Sequence, residues 1–114
     1  MYTRKNKKIK FIEAINESIH LEMLRNKKLI TFGLGINDPK RIFGSTQGLV
    51  ERFGSDRVFD VPTSENSLTG IGLGLSLGGN TVLMTHQRLD FFLLAFDQLI
   101  NSISKWNYMF DGNS

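Results

Sequence analysis

Glu65 is the side chain of this 114-residue sequence whose type and setting best suit chemistry. A short apolar run ends at Asp60, and Glu65 follows it just before a glycine-rich segment that begins at Gly70. This order predicts a strand that passes into a helix. Open α/β folds bind their ligands at the carboxyl ends of their strands, so a carboxyl group at this point could act as a general acid or base. The alternative is that Glu65 only complements the positive end of a helix dipole on the surface.

Apolar periodicity predicts three strands that alternate with helices. Ser45 is the expected N-cap of the second helix, and Gly54 is its expected stop. The alternation favours an α/β fold, a three-layer arrangement with mostly parallel strands and helices on both faces of the sheet. The residues just past the strands are then expected to share one crevice: Leu34 and Gly35, Glu65, and 86–91. The predicted helices are 11–26, 45–53, 66–77 and 90–109, and the strands are 29–32, 58–61 and 81–85.

Gly70, Gly74 and Gly78 recur every four residues in the third predicted helix. They do not fit the dinucleotide fingerprint G-x-G-x-x-G, which weighs against a nucleotide-binding loop. Glycine costs about 1 kcal/mol per helical position relative to alanine, so close packing of another backbone is the expected compensation. We therefore expect this helix to form an interface in a homo- or hetero-oligomer. The apolar residues expected to face the sheet are Leu68, Ile71 and Leu75.

Composition narrows the class of protein. The chain has no cysteine, which makes a reducing, cytoplasmic setting the default expectation. No run approaches the roughly 20 apolar residues of a membrane span, so no membrane association is expected. Five of the 14 basic residues lie within residues 1–10, and we interpret this stretch as a solvated basic arm. A nucleic-acid partner is not expected, because no basic patch interleaved with aromatic residues follows the arm.

Three stretches resemble the pyrimidine-binding domain of thiamine diphosphate enzymes. They are Ser64-Glu65 with the small-residue helix after it, the run Gln87-Arg-Leu-Asp-Phe-Phe92, and the run Phe96-Asp-Gln-Leu-Ile-Asn-Ser102. The strongest resemblance is to the β subunit of the decarboxylating component of pyruvate dehydrogenase-like 2-oxo acid dehydrogenases. It covers nearly the whole chain and implies that residues 11–114 are the N-terminal part of such a domain.

The resemblance implies a cofactor and a role for four residues. Glu65 would be the catalytic residue that protonates the aminopyrimidine of thiamine diphosphate, and Phe91 would lie against the pyrimidine ring. Gln87 and Leu89 would line the same pocket. The diphosphate and its magnesium would be bound by an α-type partner subunit through a G-D-G motif, which these 114 residues lack. No metal ligand is therefore expected in this chain, which would be inactive in isolation.

The sequence departs from the family pattern at two places. Leu34 stands where such β subunits usually carry an acid, and residues 86–88 replace a more apolar family stretch. His86 could be an acid–base group or a hydrogen-bonded loop residue. Arg88 could indicate an anionic substrate or simply face solvent.

The chain is shorter than complete subunits of this kind, so we expect it to be a truncated or fragmentary product. Three other functions stay open at this stage. One is a noncatalytic assembly module derived from the fold, the second is a transketolase-like transferase of a two-carbon unit, and the third is a nucleotide-binding domain of flavodoxin-like shape.

Overall fold

The structure, a computed structural model, describes residues 8–112. It has a three-stranded parallel sheet in which β1 lies between β2 and β3, which confirms the predicted α/β class. The elements in chain order are α1 Phe11–Arg25, β1 Leu29–Gly33, α2 Leu49–Phe53, β2 Val58–Asp60, α3 Glu65–Leu77, β3 Thr81–Thr85, α4 Leu89–Phe92 and α5 Ser104–Met109. Between α4 and α5 lie a 3₁₀ turn, Leu93–Ala95, and a π-helical stretch, Gln98–Ile103.

Helices cover both faces of the sheet. On one face, Met23 of α1 and Leu49 of α2 pack with Leu29 and Val58 in a fully buried apolar cluster. On the other face, the rings of Phe32 and Phe59 stack at 5.4 Å between centroids. Helix α3 lies over this second face. The three-layer arrangement predicted from the alternation of strands and helices is therefore confirmed.

Helix α3 approaches the sheet through Gly72. A Cβ atom at Gly72 would lie 3.6 Å from the Phe32 ring and from Val82, whereas one at Gly74 would meet no atom within 4 Å. The expectation that Ile71 faces the sheet is wrong, because its side chain is 55% exposed. Gly78 is the C-cap of α3 rather than an interior residue. The glycine that packs on the sheet is thus two residues away from the predicted glycine face, and Gly74 is left open.

The second predicted helix is shorter than expected, and Ser45 is not its N-cap. Helix α2 begins only at Leu49, and Gly48 before it has a left-handed conformation with φ of 71°. The Ser45 hydroxyl donates instead to the carbonyl of Ile42 (2.9 Å), and the buried Thr46 hydroxyl donates to that of Ile36 (2.9 Å). These bonds hold residues 34–48 as a series of turns. Gly54 ends α2 as predicted.

The last predicted helix, 90–109, is not one regular helix. Its hydrogen bonding changes from α to 3₁₀ to π and back to α between Leu89 and Met109. Apolar spacing of three and four residues fits all of these forms, so periodicity could not distinguish them. Within residues 8–112, no helix is long and apolar enough to cross a membrane.

Arg57 joins the end of α1 to the start of the sheet. Its guanidinium donates to the carbonyls of Met23 (3.0 Å), Asn26 (2.8 Å) and Leu29 (3.0 Å). The carbonyls of Met23 and Asn26 lie at the end of α1, where helix geometry leaves backbone acceptors unpaired, and that of Leu29 lies at the first residue of β1. One side chain therefore satisfies three main-chain acceptors at a single corner of the fold.

We expect Arg57→Met to lower the free energy of unfolding by about 2–4 kcal/mol, because it leaves these part-buried carbonyls unpaired. Arg52→Met is the matched control. Both guanidiniums lie over the Phe53 ring, at 5.4 Å for Arg57 and 5.5 Å for Arg52, but Arg52 is exposed and caps no carbonyl. Urea titrations of both variants measure the difference. Equal losses for the two would show that the stacking on Phe53, and not the carbonyl bonds, carries the effect.

Candidate functional site

A crevice lies where β1 and β3 end and α3 begins. Its walls include Leu34 after β1, Glu65 at the start of α3, and His86, Gln87 and Phe91 after β3. Parallel strands place their carboxyl ends at one edge of the sheet, and the structure shows this arrangement for β1 and β3. The predicted meeting in one crevice is confirmed for these five residues, whereas Gly35 and 88–90, which were predicted to share it, are not among the residues that line it.

The close approach of β1 to β3 depends on Gly33. A Cβ atom at this position would overlap the hydroxyl and the carbonyl group of Thr85. Only glycine therefore allows the last residue of β1 to pair with Thr85 without moving the end of β3. This contact brings the segment that follows β3 against the loop that follows β1.

Glu65 is the first residue of α3, and its side chain is half-buried. The Thr69 hydroxyl donates to the backbone carbonyl of Glu65 at 2.7 Å, which leaves the carboxylate itself free to point elsewhere. Within residues 8–112, no hydrogen bond joins this carboxylate to another protein group. The carboxylate is thus held at the crevice wall with its hydrogen-bonding capacity unused.

Asp60 orders the loop after β1. Its carboxylate accepts hydrogen bonds from the backbone N–H groups of Gly35 (2.9 Å), Asn37 (3.3 Å) and Val61 (2.8 Å). Gly35 has a φ of +83°, and the side chain of Gln87 packs directly against it. Sequence reasoning assigned Asp60 no role, although an acid at the end of a predicted strand was a usable signal. Asp60 fixes the loop on which Gln87 rests.

The residues after β3 are placed differently from one another. Phe91 lines the crevice with 37% of its surface exposed. Leu89, predicted to line the same pocket, is 77% exposed and does not contribute to the crevice wall. The structure therefore brings together Glu65, Gln87 and Phe91, and leaves Leu89 outside.

Arg88 is held away from the crevice by its neighbours. Its guanidinium forms an ion pair with Asp90 and lies 4.8 Å from the centroid of the Phe91 ring. The hydrogen bond from Arg88 lowers the pKa of Asp90 below its ordinary value. The pair is exposed, so it contributes little to stability.

The side chain of His86 is half-buried. Its Nε2 atom is buried and finds no hydrogen-bond partner within residues 8–112, and its ring packs edge-on against Phe92 at 4.9 Å between centroids. Burial of the ring lowers the pKa of His86 below its ordinary value of 6.5, and the Glu65 carboxylate partly opposes this by raising it. The sequence analysis offered His86 as a hydrogen-bonded loop residue, and this interpretation does not hold for its Nε2 atom.

The shape of the crevice limits what it can hold. Its enclosed part measures about 20 Å³, which is room for about one water molecule. Within residues 8–112, no group of three His, Cys, Asp or Glu side chains could hold a metal ion. The site therefore offers a carboxylate, an amide and an aromatic ring along an open wall, a set that suits the edge and face of a flat heteroaromatic ring. Fold and site together define a parallel α/β domain with a carboxylate-bearing crevice at the carboxyl ends of its strands.

Comparisons with known proteins agree with this class. The family profile described as "Transketolase, pyrimidine binding domain" matches residues 7–111. The chain is 35% identical over 102 residues to 2-oxoisovalerate dehydrogenase subunit beta 2, mitochondrial, of Arabidopsis thaliana. The aligned segment covers 90% of this chain and 28% of that protein. It is 34% identical over 100 residues to pyruvate dehydrogenase E1 component subunit beta-1, mitochondrial, of the same plant, covering 88% of this chain and 28% of that protein.

A bacterial relative gives the same picture. Pyruvate dehydrogenase E1 component subunit beta of Rickettsia felis is 31% identical over 102 residues, covering 90% of this chain and 31% of that protein. The chain belongs to the transketolase pyrimidine-binding domain family. It spans about three tenths of the length of these relatives.

We expect Gly35→Ala to displace Gln87 from the crevice, because the new methyl group would overlap the Gln87 amide. It should also cost about 1–2 kcal/mol of stability, since φ is +83° at this position. Gly44→Ala is the matched control, because Gly44 has a φ of +95° but no atom within 4 Å of the added Cβ. The side-chain amide resonances of Gln87 in NMR spectra should move in Gly35→Ala and stay in place in Gly44→Ala. A Gln87 signal that is unchanged in both would contradict the proposed contact.

Proposed function

We propose that this chain is the pyrimidine-binding part of a β-type subunit of a thiamine diphosphate-dependent 2-oxo acid dehydrogenase, with residues 11–114 as the domain and residues 1–10 as a basic arm. The observation that carries the proposal is the half-buried Glu65 carboxylate in a crevice at the strand ends, without a hydrogen bond inside residues 8–112. The relatives named above are β subunits of 2-oxo acid dehydrogenases, which supports the choice of this class.

The residues of the crevice fit the pyrimidine half of the cofactor. The Glu65 carboxyl group has an unused site for a ring nitrogen, and the Phe91 ring has an accessible part that could lie against a heteroaromatic face. Gln87 supplies an amide beside them, held in place by Gly35. Leu89 does not line the crevice and is assigned no contact with the cofactor. The enclosed space is too small for a ring, so the ring would occupy the open side, where a second chain would form the opposite wall.

Thiamine diphosphate, when bound, supplies the nucleophilic carbon that adds to the carbonyl group of a 2-oxo acid. In this proposal, the Glu65 carboxyl group would hydrogen-bond a pyrimidine ring nitrogen and exchange one proton with it. Phe91 orients the ring, and Gln87 and the loop after β1 restrict access of water. Leu34 lies in the crevice at the position where an acid is usual in the family, so Glu65 is the one carboxyl group among the residues that line it.

The other half of the cofactor is assigned to a partner. A diphosphate group needs a magnesium ion or several basic or backbone donors, and within residues 8–112 no metal-binding cluster accompanies the crevice. An α-type subunit would supply the diphosphate and magnesium site, in keeping with the "subunit beta" of the relatives' names. The proposed assembly is a hetero-oligomer in which the cofactor lies between chains.

We expect Glu65→Gln to reduce thiamine-dependent turnover of the complete assembly by at least about 100-fold, because general acid–base roles contribute about 10²–10⁴-fold. The amide is nearly the same size as the carboxyl group but cannot donate the same proton. Glu22→Gln, at an exposed position on α1, removes one charge without touching the crevice and should keep full activity. Turnover is measured with a partner subunit, cofactor and magnesium. Retention of more than about a tenth of the rate in Glu65→Gln would argue against the proposed role.

We expect Gly74→Leu to prevent association without destabilising the chain, because the space beside Gly74 is open in the isolated domain. Replacing a helix glycine should even stabilise α3 by up to about 1 kcal/mol. Gly72→Leu is the contrasting control. It would press on Phe32 and Val82 and should lower the free energy of unfolding. Sedimentation of Gly74→Leu with the oligomeric mass of the wild type would show that this face of α3 is not an interface.

A further inference from the structure

His86 lines two neighbouring spaces. One is the crevice that contains Glu65, and the other is an open groove of about 270 Å³ between α3, β3 and the helices that follow β3. Among the described residues that line either space, Glu65 and His86 are the two titratable groups. Of the charged groups on the neighbouring segments, the Asp60 carboxylate is bound to backbone N–H groups of the loop after β1, and Arg88 and Asp90 pair with each other. Glu65 and His86 are therefore the two lining groups that can exchange a proton near neutral pH.

The packing around His86 does not require an imidazole. Its ring packs against Phe92, a contact that an apolar ring would make equally well. Among residues 8–112 its buried polar atom Nε2 has no hydrogen-bond partner, and such an atom lowers the stability of the fold. The resemblance to the family leads us to expect a more apolar residue here, so the imidazole is a feature of this chain that packing does not explain.

We propose that His86 supplies protons to Glu65. A hydronium ion of the solvent at the open side of the crevice gives a proton to the imidazole and becomes water; the imidazole N–H bond then breaks, an O–H bond forms on the Glu65 carboxylate, and the imidazole returns to its neutral form. Both groups line the crevice, whose enclosed 20 Å³ has room for about one water molecule. His86 acts through Glu65 and makes no contact with substrate in this scheme. The role of this proton in catalysis rests on the proposed function. The electrostatic interaction between His86 and Glu65 does not.

The direction of the pKa shift of His86 agrees with this role. Burial lowers the pKa of His86 below 6.5, which makes the imidazolium a stronger acid than an exposed one and so a better donor to a carboxylate. Glu65 raises the pKa of His86, because its negative charge favours the imidazolium. The imidazole therefore takes up its proton at a lower pH than an exposed histidine does. Removing the Glu65 charge should move that transition to still lower pH.

The first test uses the full chain without cofactor. The pKa of His86 is read from the pH dependence of its ring C–H signals in NMR spectra, assigned by comparison with His86→Phe. Glu65→Gln should shift the His86 transition to lower pH. Glu65→Asp keeps the negative charge, so its His86 transition should lie close to that of the wild type. His20 is an internal control. It lies on α1, on the opposite face of the sheet from α3, and its ring C–H signals should be the same in the wild type and in both Glu65 variants.

The second test uses the complete assembly with thiamine diphosphate and magnesium. His86→Phe keeps the ring packed against Phe92 and should lower turnover at least about tenfold, with the loss changing across the pH range in which His86 titrates in the first test. His86→Gln, which can hydrogen-bond but cannot carry the proton, should not restore the rate. Full activity of His86→Phe with a wild-type pH profile would overturn the proposal.

The two tests separate this inference from the proposed function. A His86 transition that is unchanged in both Glu65 variants overturns the inference, whatever the assembly does. If the wild-type assembly shows no thiamine-dependent turnover while Glu65→Gln still shifts His86, the proposed function fails and the charge coupling is supported. A shifted His86 together with a slowed, pH-dependent His86→Phe assembly supports both.

Discussion

The parallel pairing of β1 with β3 is the contact on which the site depends. Gly33, at the end of β1, lies so close to Thr85 that no larger residue fits. This contact places the segment after β3 beside the loop after β1, and α3 then starts at the same edge of the sheet. If the two strand ends were held farther apart, Glu65 and Gln87 would no longer share one crevice. A single missing side chain thus sets the width of the crevice.

The sequence predicted the framework well because the framework follows simple periodicity. Three apolar runs of strand length, separated by amphipathic segments, are enough to indicate a parallel sheet covered on both faces. The failures occurred where local chemistry competes with periodicity. Ser45 and Thr46 donate to main-chain carbonyls of residues 36–42 and so stabilise turns in place of a helix. The change from 3₁₀ to π hydrogen bonding after α4 leaves no mark on the spacing of apolar residues.

The crevice was predictable in position but not in detail. Glu65 and Phe91 were found because the strand-to-helix switch and the family resemblance indicated the same edge of the sheet. Leu89 could not be placed from the sequence, because whether a residue after a strand turns inward depends on where the next helix begins. The setting of His86 was missed for a different reason. A histidine with a buried, unpaired nitrogen looks the same in a sequence as one with a partner, since only the packing of Phe92 shows the difference.

Helix α3, which begins with Glu65, has a low intrinsic helix stability. Gly70, Gly72 and Gly74 all lie in its interior, and each costs about 1 kcal/mol of helix stability relative to alanine. Such a helix keeps its shape through what packs on it, which is the sheet at Gly72 and the segment after β3 at Gly70, while the space beside Gly74 is open. Whatever covers that open side also steadies the carboxylate at the end of the helix. By thermodynamic reciprocity, a ligand that holds Glu65 in place must then strengthen the covering contact by the same factor.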